Sequence, residues 1–430
     1  MKEKYQDLKK GDYMIGLDIG TTKISVMIGK KDQYNKLEIM AMGRAVSNGV
    51  SRGIVANIDK TVFSIKEAVN QIKQKLDINL DEVFVGIAGQ HIKSLQHRGE
   101  IVRENIDIEI SQDDIDKLKS NMFKLITIPG EEVIHVIPQE YTVDGEDGIQ
   151  DPKGMAGVKL EANFHVITAQ VGAVRNIMRC VEKAGLTPKE LILEPFASAL
   201  ATLDDDELRE GVALVDIGGG TTDVAIFLDN IIRHTAVVPF GGNVITKDIK
   251  TGLSILEKQA ELLKIKFGSA MYTDDQENVM VSIPGLRGRE PKEIAVKNLT
   301  EIIGSRYKEI IDLVYHEIKV SGYEDKLMTG IVLTGGGSQI RNLNQLVAFI
   351  TGKETRIGYP NEHLGSGSKD DVVSPMYSTG VGLVLKGFEY FDNMDSKHRA
   401  LDSNTNISSQ LDSTGILDRI KEWFTEDNIN

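Results

Sequence analysis

The chain has 430 residues, 41% hydrophobic and 27% charged, and its 64 acidic residues outnumber its 50 Lys and Arg to give a formal charge of −14. This length allows two or more domains, and the acidic balance argues against a nucleic-acid-binding protein, which would need basic residues against phosphates. One cysteine, Cys180, excludes an intramolecular disulfide and fits a reducing compartment. The charged leader 1–12 has no signal-peptide core, and no apolar run approaches the roughly 20 residues that cross a bilayer. The sequence therefore predicts a cytoplasmic protein.

Two segments share one plan, an apolar strand, a turn rich in Gly and Thr, and a second apolar strand. They are YMIGLDIGTTKISVMIG (13–29) and GVALVDIGGGTTDVAIFL (211–228). Asp18 and Asp216 end the first strand of each, and they lie 216 − 18 = 198 residues apart, about the length of a domain. Self-similarity at this spacing predicts a duplicated domain rather than a solenoid, whose repeats are shorter.

The composition of these turns suits a phosphate group. Glycine lets a turn aim several backbone N–H groups at one anion, Thr hydroxyls add donors, and a Lys adds a point charge. Aspartate oxygens suit Mg²⁺, so we expect Asp18 and Asp216 to hold this ion, through water. The predicted phosphate-binding residues are Gly20, Thr21, Thr22 and Lys23 in the first hairpin and Gly218, Gly219, Gly220, Thr221, Thr222 and Asp223 in the second.

Each turn taken alone could be an ordinary tight hairpin, where Gly is common in any case. Two matched copies favour the phosphate interpretation, in which the hairpins face each other and hold a magnesium–triphosphate between two domains. Neither turn fits the P-loop or the dinucleotide-binding pattern.

A third glycine cluster follows another predicted strand, in GIVLTGGGSQIRNLNQLV (330–347). A glycine turn at the carboxyl end of a strand lets a flat base lie against the backbone. Gly335, Gly336, Gly337 and Ser338 are therefore the predicted adenosine-binding residues, although the cluster alone could be a simple strand-to-helix turn.

These three segments, in this order, resemble the phosphate-1, phosphate-2 and adenosine motifs of the actin-like ATPase superfamily. The resemblance implies ATP and Mg²⁺ as cofactors. It also implies that Glu194, in LEPFASALATL (193–203), orients an attacking water. Glu261 and Lys264, in QAELLKIKFG (259–268), would contact the ribose and base, and Gly242 joins the same site.

Within the superfamily, three further segments are similar to the FtsA family of cell-division proteins, namely 51–69, 137–168 and 283–294. The similarity covers about 13–391 and resumes in the last dozen residues. It implies an α/β fold, the duplicated ribonuclease H-like actin fold of two domains, with a small inserted subdomain IC in place of the actin subdomain IB. Composition and resemblance together divide the chain into a polar leader (1–12), subdomain IA (13–82, 168–203 and 374–391), the inserted subdomain IC (83–167), subdomain IIA (204–243 and 305–373), subdomain IIB (244–304), a flexible linker (392–414) and an amphipathic membrane-targeting helix (415–427).

The C-terminal segment GILDRIKEWF (415–424) holds the one tryptophan of the chain. At 100° per residue its large apolar side chains share an arc of about 120°, a width suited to lying in a membrane interface. They are Ile416, Leu417, Ile420, Trp423 and Phe424. The helix could instead dock on the protein's own surface, but the preceding polar linker favours tethering. Its balanced charges predict weak single-copy binding, which becomes firm when several subunits bind one surface.

The resemblance implies a bacterial cell-division protein, an ATP-binding adaptor that forms filaments and anchors FtsZ to the inner face of the cytoplasmic membrane at the division site, with other divisome proteins as further partners. It places the FtsZ C-terminal peptide on subdomain IIB, where Arg287 and Arg289 could meet acidic groups. ATP hydrolysis is expected to be slow or absent. The alternatives are a PilM-like or MreB-like protein or a metabolite kinase of the same fold, and a DnaK-type chaperone is excluded because the 39 residues after Phe391 cannot form a peptide-binding domain.

Overall fold

The computed structural model describes residues 11–104, 108–125, 127–285, 290–361, 363–365 and 370–403. In that part of the chain no helix combines the length and the apolar character needed to cross a membrane. The predicted membrane-targeting residues and the pair Arg287 and Arg289 lie outside the described residues.

The described residues form eighteen strands and ten α-helices. The strands are β1 (Tyr13–Ile19), β2 (Lys23–Lys31), β3 (Leu37–Val46), β4 (Val50–Ser51), β5 (Ile54–Val55), β6 (Glu82–Ile87), β7 (Ile92–Val102), β8 (Glu131–Val143), β9 (Glu146–Ile149), β10 (Lys159–Gln170), β11 (Thr187–Leu193), β12 (Val212–Ile217), β13 (Thr222–Leu228), β14 (Ile231–Val238), β15 (Met280–Ile283), β16 (Lys292–Ala295), β17 (Ile331–Thr334) and β18 (Thr355–Ile357). The helices are α1 (Ile58–Lys75), α2 (Gln112–Met122), α3 (Val171–Lys183), α4 (Glu194–Thr202), α5 (Asp205–Glu210), α6 (Gly242–Gly252), α7 (Glu257–Phe267), α8 (Val296–Val320), α9 (Leu343–Thr351) and α10 (Ser378–Ser403).

The two halves of the chain contain five-stranded sheets with the same order and directions. In the first half the order is β3-β2-β1-β6-β11, and in the second it is β14-β13-β12-β17-β18. In each sheet an antiparallel meander of three strands is followed by two strands parallel to its first member. The duplicated fold predicted from the two matching segments is therefore confirmed.

Helices cover both faces of each sheet, as the nearly uninterrupted apolar runs of the central strands require. In the first half α1 and α3 pack on one face, and α4 and α10 pack on the other. In the second half α6, α8 and α9 share one core with β12 and β17. Apolar residues of α4 also pack against β12 and β13, so this helix contacts both halves.

An inserted subdomain interrupts the first half. It contains a four-stranded sheet of order β7-β10-β8-β9 and the helix α2, packed around its own apolar core. The predicted start of this insertion at residue 83 is wrong, because β6 pairs in parallel with β1 and β11 in the first sheet. The apolar run of β6 is compatible with the first sheet and with the inserted subdomain. Its partners β1 and β11 are distant in sequence, so no local pattern identifies its sheet.

The last helix extends beyond the predicted boundary of subdomain IA. Helix α10 continues to Ser403, through the first twelve residues (392–403) of the predicted linker. This segment is polar but contains neither Gly nor Pro, and Lys, Arg, Ala and Leu are good helix formers. Polarity alone therefore does not distinguish a polar helix from a coil.

Candidate functional site

The two Gly/Thr hairpins meet at one cavity of about 420 Å³ between the halves. The turn 20–22 connects β1 to β2, and the turn 218–221 connects β12 to β13. The cavity brings together nearly all residues predicted for the nucleotide site, and its walls include Asp18, Gly20, Thr21, Thr22, Lys23, Glu194, Asp216, Gly218, Gly219, Gly220, Thr221, Asp223, Gly242, Glu261, Lys264, Gly335, Gly336 and Gly337.

The hairpin tips lie so close that only glycine fits in the second one. A methyl group added to Gly219 would come within 1.8 Å of Thr22 Oγ1, and one added to Gly220 would come within 2.7 Å of Thr21 Oγ1. The Thr22 hydroxyl also donates to Asn243 Oδ1 across the cleft at 3.5 Å. These glycines therefore allow the two halves to approach closely, in addition to leaving backbone N–H groups accessible to a ligand.

Two predicted residues are turned away from the cavity. Thr222 is fully buried and donates to the Phe240 carbonyl at 2.8 Å. Ser338 is also buried and donates to the Gly335 carbonyl at 2.8 Å. These hydroxyls fix the shapes of the second hairpin and of the turn 335–338, which we name the adenosine loop after its predicted ligand. A sequence motif does not distinguish this structural role from ligand binding.

Four carboxylates surround the end of the cavity where the two hairpins meet, with one ammonium group among them. Asp18 forms an ion pair with Lys23 and accepts a hydrogen bond from Ser25 at 3.2 Å. Asp216 accepts one from Ser198 at 2.7 Å. Glu194 is the first residue of α4, and Asp223 lies opposite Asp216 in the strand register.

Burial and mutual repulsion raise the pKa of three carboxyl groups in this cluster, Asp223, Glu194 and Asp216. Burial, followed by the charge of Asp216, raises the pKa of Asp223 to about 8. Burial and the charges of Asp18, Asp223 and Asp216 raise the pKa of Glu194 well above its usual value. Burial also raises the pKa of Asp216. Burial lowers the pKa of Lys23, but the charge and hydrogen bond of Asp18 outweigh that effect, so the pKa of this ammonium group is raised.

The acidic walls fit a hard divalent cation that arrives with its own oxygen ligands. Among the residues that the structure describes, no three acidic, His or Cys side chains converge closely enough to hold a metal by themselves. Mg²⁺ prefers six oxygens and keeps several waters, so Asp18 and Asp216 suit contacts through water while phosphate oxygens complete the set.

The other end of the cavity holds the remaining residues predicted to contact a nucleoside. Lys264 donates to the Gly242 carbonyl at 2.9 Å and pairs with Glu261 at 2.7 Å, which fixes both predicted side chains beside the start of α6. Gly335 has φ = 82°, and a methyl group there would lie 2.2 Å from Asp216 Oδ1. The Tyr307 hydroxyl donates to the Gly337 carbonyl at 2.6 Å and so holds the turn 335–338 in place.

The structure adds residues that the sequence analysis missed. Gly53, Asn243, Ile265, Tyr307, Gln339, Ile340, Met376 and Thr379 also line the cavity. Thr379, at the start of α10, donates to Asp216 at 3.5 Å, and the Tyr377 ring lies 5.4 Å from Lys23 Nζ. The segment PMYSTG (375–380) carries no phosphate-loop pattern, so no sequence signal identified it.

Two family models and two curated proteins that are similar to this chain name one family. The family model described as cell division protein FtsA matches residues 213–382, and the model for the SHS2 domain inserted in FtsA matches 89–168. The chain is 38% identical over 417 residues to the cell division protein FtsA of Pseudomonas aeruginosa, covering 97% of this chain and 98% of that protein. It is 33% identical to the Escherichia coli protein of the same name, covering 87% and 90%.

Solved structures of lower identity share the fold. The type IV pilus biogenesis complex PilM–PilN contains a chain that superposes with a TM-score of 0.61 at 16% identity, covering 87% of this chain and 98% of that one. MreB5 of Spiroplasma citri bound to ADP gives a TM-score of 0.50 at 16% identity, covering 90% and 98%. Both share the fold of this chain.

Proposed function

Because the chain belongs to the FtsA family of cell-division proteins, we propose that it is an ATP-binding, filament-forming adaptor. It anchors FtsZ to the inner face of the cytoplasmic membrane at the division site and helps recruit other divisome proteins. The observation that carries this proposal is the convergence of two Gly/Thr hairpins, one from each half, on a single cavity with acidic walls. A ligand held by both halves favours their closed arrangement over an open one, which makes assembly depend on the ligand.

The proposed cofactors are ATP and Mg²⁺, with the phosphates between the hairpins and the nucleoside beside Lys264 and the adenosine loop. Mg²⁺ supplies positive charge that stabilises the phosphates. Glu194 orients a water at the phosphate end, where burial and the charges of Asp18, Asp223 and Asp216 raise its pKa well above its usual value. Turnover is proposed to be slow, because the assembled state depends on retained nucleotide.

Two sets of exposed apolar side chains support head-to-tail assembly. Val320, Met328 and Phe349 are 63, 75 and 81% exposed, on segments that lead into the starts of β17 and β18, the strand ends away from the cavity. We name these three residues the pole patch. Subdomain IIB, which flanks the cavity at the opposite ends of these strands, exposes Leu256, Leu262, Val279 and Met280. Two different patches at opposite ends of one unit give a heterologous contact, which repeats as an open filament.

A groove between α6 and α8 supports the FtsZ-binding assignment. It encloses about 620 Å³ and is bordered by Leu253, Ile302 and the ion pair of Asp248 with Arg306. Apolar side chains beside a fixed charge pair suit a short peptide that carries both kinds of group. We propose that the FtsZ C-terminal peptide binds here, on subdomain IIB and the adjoining turns of α8.

The membrane contact is proposed for Ile416, Leu417, Ile420, Trp423 and Phe424, which lie outside the described residues. Their apolar arc and the lone Trp are typical of helices that lie in the membrane interface. Attachment is proposed to be weak for one copy and firm for a filament that presents many copies.

Sedimentation of liposomes with purified FtsZ, MgATP and the full-length chain tests the adaptor function. FtsZ should pellet with the liposomes only when the chain is present. Deleting 416–430, or replacing Trp423→Glu, should leave both proteins in the supernatant. Thr425→Glu is the matched control, because it adds the same charge on the polar side of the helix. Retention of FtsZ on liposomes by the truncated chain would contradict the proposal.

A further inference from the structure

The hairpin formed by β4 and β5 carries an unusual residue at its tip, Arg52. Arg52 and Gly53 have φ values of 50° and 77°, so both central residues of the turn are left-handed, as in a type I′ turn. Gly, Asn and Asp favour this conformation, whereas a long side chain in it costs about 1 kcal/mol. A residue held there at a functional cavity is a candidate for a role in that cavity.

This tip lies where the two phosphate hairpins meet. The Gly53 N–H donates to Thr21 Oγ1 in the first hairpin at 3.2 Å. A methyl group on Gly220 of the second hairpin would come within 3.0 Å of Arg52 Cα, and one on Gly89 would come within 2.8 Å of the Arg52 carbonyl oxygen. The backbone of Arg52 is thus fixed against both halves of the molecule, at the rim of the cavity.

The side chain of Arg52 is exposed and makes no hydrogen bond or ion pair with any residue that the structure describes. The cations already inside the cavity are paired, Lys23 with Asp18 and Lys264 with Glu261. The phosphate end has four carboxylates and a single ammonium group, so a polyphosphate bound there needs further positive charge. A guanidinium group supplies charge and two parallel donors in a geometry that matches phosphate oxygens.

We propose that Arg52 is a phosphate-binding residue, whose guanidinium group turns from the rim onto the terminal phosphate of the bound nucleoside triphosphate. This inference rests on the proposed nucleotide site, and it adds a donor outside the two hairpins. Because its backbone contacts Gly220 of the other half, Arg52 also links the presence of the terminal phosphate to the closed position of the two halves.

Titration of the full-length chain with MgATP and with MgADP, followed by calorimetry, tests the proposal. Arg52→Gln should weaken MgATP binding about tenfold, which corresponds to ~1.4 kcal/mol, and change MgADP binding less than about twofold. Arg52→Lys should recover part of the loss, because it keeps the charge and loses the fork of donors. Arg209→Gln on α5, distant from the cavity, is the matched control.

Arg52→Gly separates the side chain from the turn, since glycine relieves the left-handed strain and removes the guanidinium group. It should lose MgATP affinity as Arg52→Gln does. Wild-type MgATP affinity in either variant, or an equal loss for MgATP and MgADP, would overturn the assignment. A wild-type chain that binds neither nucleotide would instead contradict the proposed nucleotide site.

Discussion

Asp223 shows that clustering buried acidic groups in the candidate site lowers the stability of the folded chain. Its pKa is raised from an ordinary value of 3.8 to about 8, first by burial and then by Asp216. Over this range the folded chain retains a proton that the unfolded chain releases, so this residue lowers the stability increasingly as the pH rises. Above about pH 8 both states are ionised, and the loss no longer grows.

We therefore expect Asp223→Asn to raise the melting temperature of the nucleotide-free chain. The gain should increase between pH 5 and pH 8 and then level off, because the amide stays neutral where the buried carboxylate must ionise. Thermal melts at a series of pH values measure it, with Asp312→Asn, exposed on α8, as the control. An equal gain at every pH would show that repulsion in the cluster is not the cause.

At the residue scale, the sequence predicts the cavity residues that belong to motifs. It does not predict the cavity residues that other segments contribute. The hairpin glycines and aspartates were predictable because the chemistry of a phosphate turn dictates their types. Ser198 and Thr379, which donate to Asp216, lie outside the phosphate turns, and no turn chemistry singles them out. Thr222 and Ser338 were assigned to the ligand by position in the motif, whereas the structure uses their hydroxyls within the loops.

The packing of α10 on α4 places Glu194 at the cavity. A methyl group added to Gly382 would lie 1.7 Å from the carbonyl oxygen of Ala197, so glycine is required where the two helices cross. Replacing Gly382→Ala should destabilise the fold by ~2 kcal/mol or more, because backbone atoms cannot move aside as side chains can. The expected result is a clearly lower melting temperature together with weaker nucleotide binding, since α4 starts at Glu194.

Gly172→Ala is the matched control for this prediction. Gly172 lies in α3 with open space around its α-carbon, so alanine there should be neutral or slightly stabilising through its better helix propensity. Calorimetric melts of both variants make the comparison. If Gly382→Ala melts at the wild-type temperature, the helices have room to separate and the crossing is not tight.

Most elements were predictable where periodicity was strong, and the two failures have different physical causes. The hairpins β1–β2 and β12–β13 follow from apolar runs around glycine turns, which are local features. Strand β6 was assigned to the wrong unit because its partners are distant in sequence. The extension of α10 was missed because residues 392–403 are polar, and polarity alone does not exclude a helix.

Across the whole molecule, the inserted subdomain belongs to the first half in sequence but also contacts the second. Gln96 donates to the Arg233 carbonyl at 3.0 Å, and Gln139 donates to the Ile232 carbonyl at 2.6 Å, so side-chain amides satisfy the edge strand β14. His165 lies between Gln96 and the Thr235 hydroxyl in the same seam. The sequence predicted a duplicated fold with an insertion, but this contact depends on tertiary geometry alone.

The pole patch is where assembly of whole molecules should be most sensitive to a single charge. Phe349 is 81% exposed on α9, and burying it against the next subunit would stabilise each contact by about 1.5–3 kcal/mol. Phe349→Glu removes that gain and adds the cost of desolvating a carboxylate. We expect the critical concentration for filament formation with MgATP on a lipid monolayer to rise at least about tenfold, equivalent to ~1.4 kcal/mol per contact.

Electron microscopy over a concentration series measures this change, and nucleotide titration checks that the variant still binds MgATP. Tyr34→Glu is the matched control, because Tyr34 is 76% exposed in the turn between β2 and β3 of the first half, away from the pole patch. Filaments of Phe349→Glu at the wild-type concentration would exclude the pole patch from the contact. Loss of filaments in both variants would point to added charge in general, whereas loss in Phe349→Glu alone identifies this end of the second half as one side of a repeating head-to-tail contact.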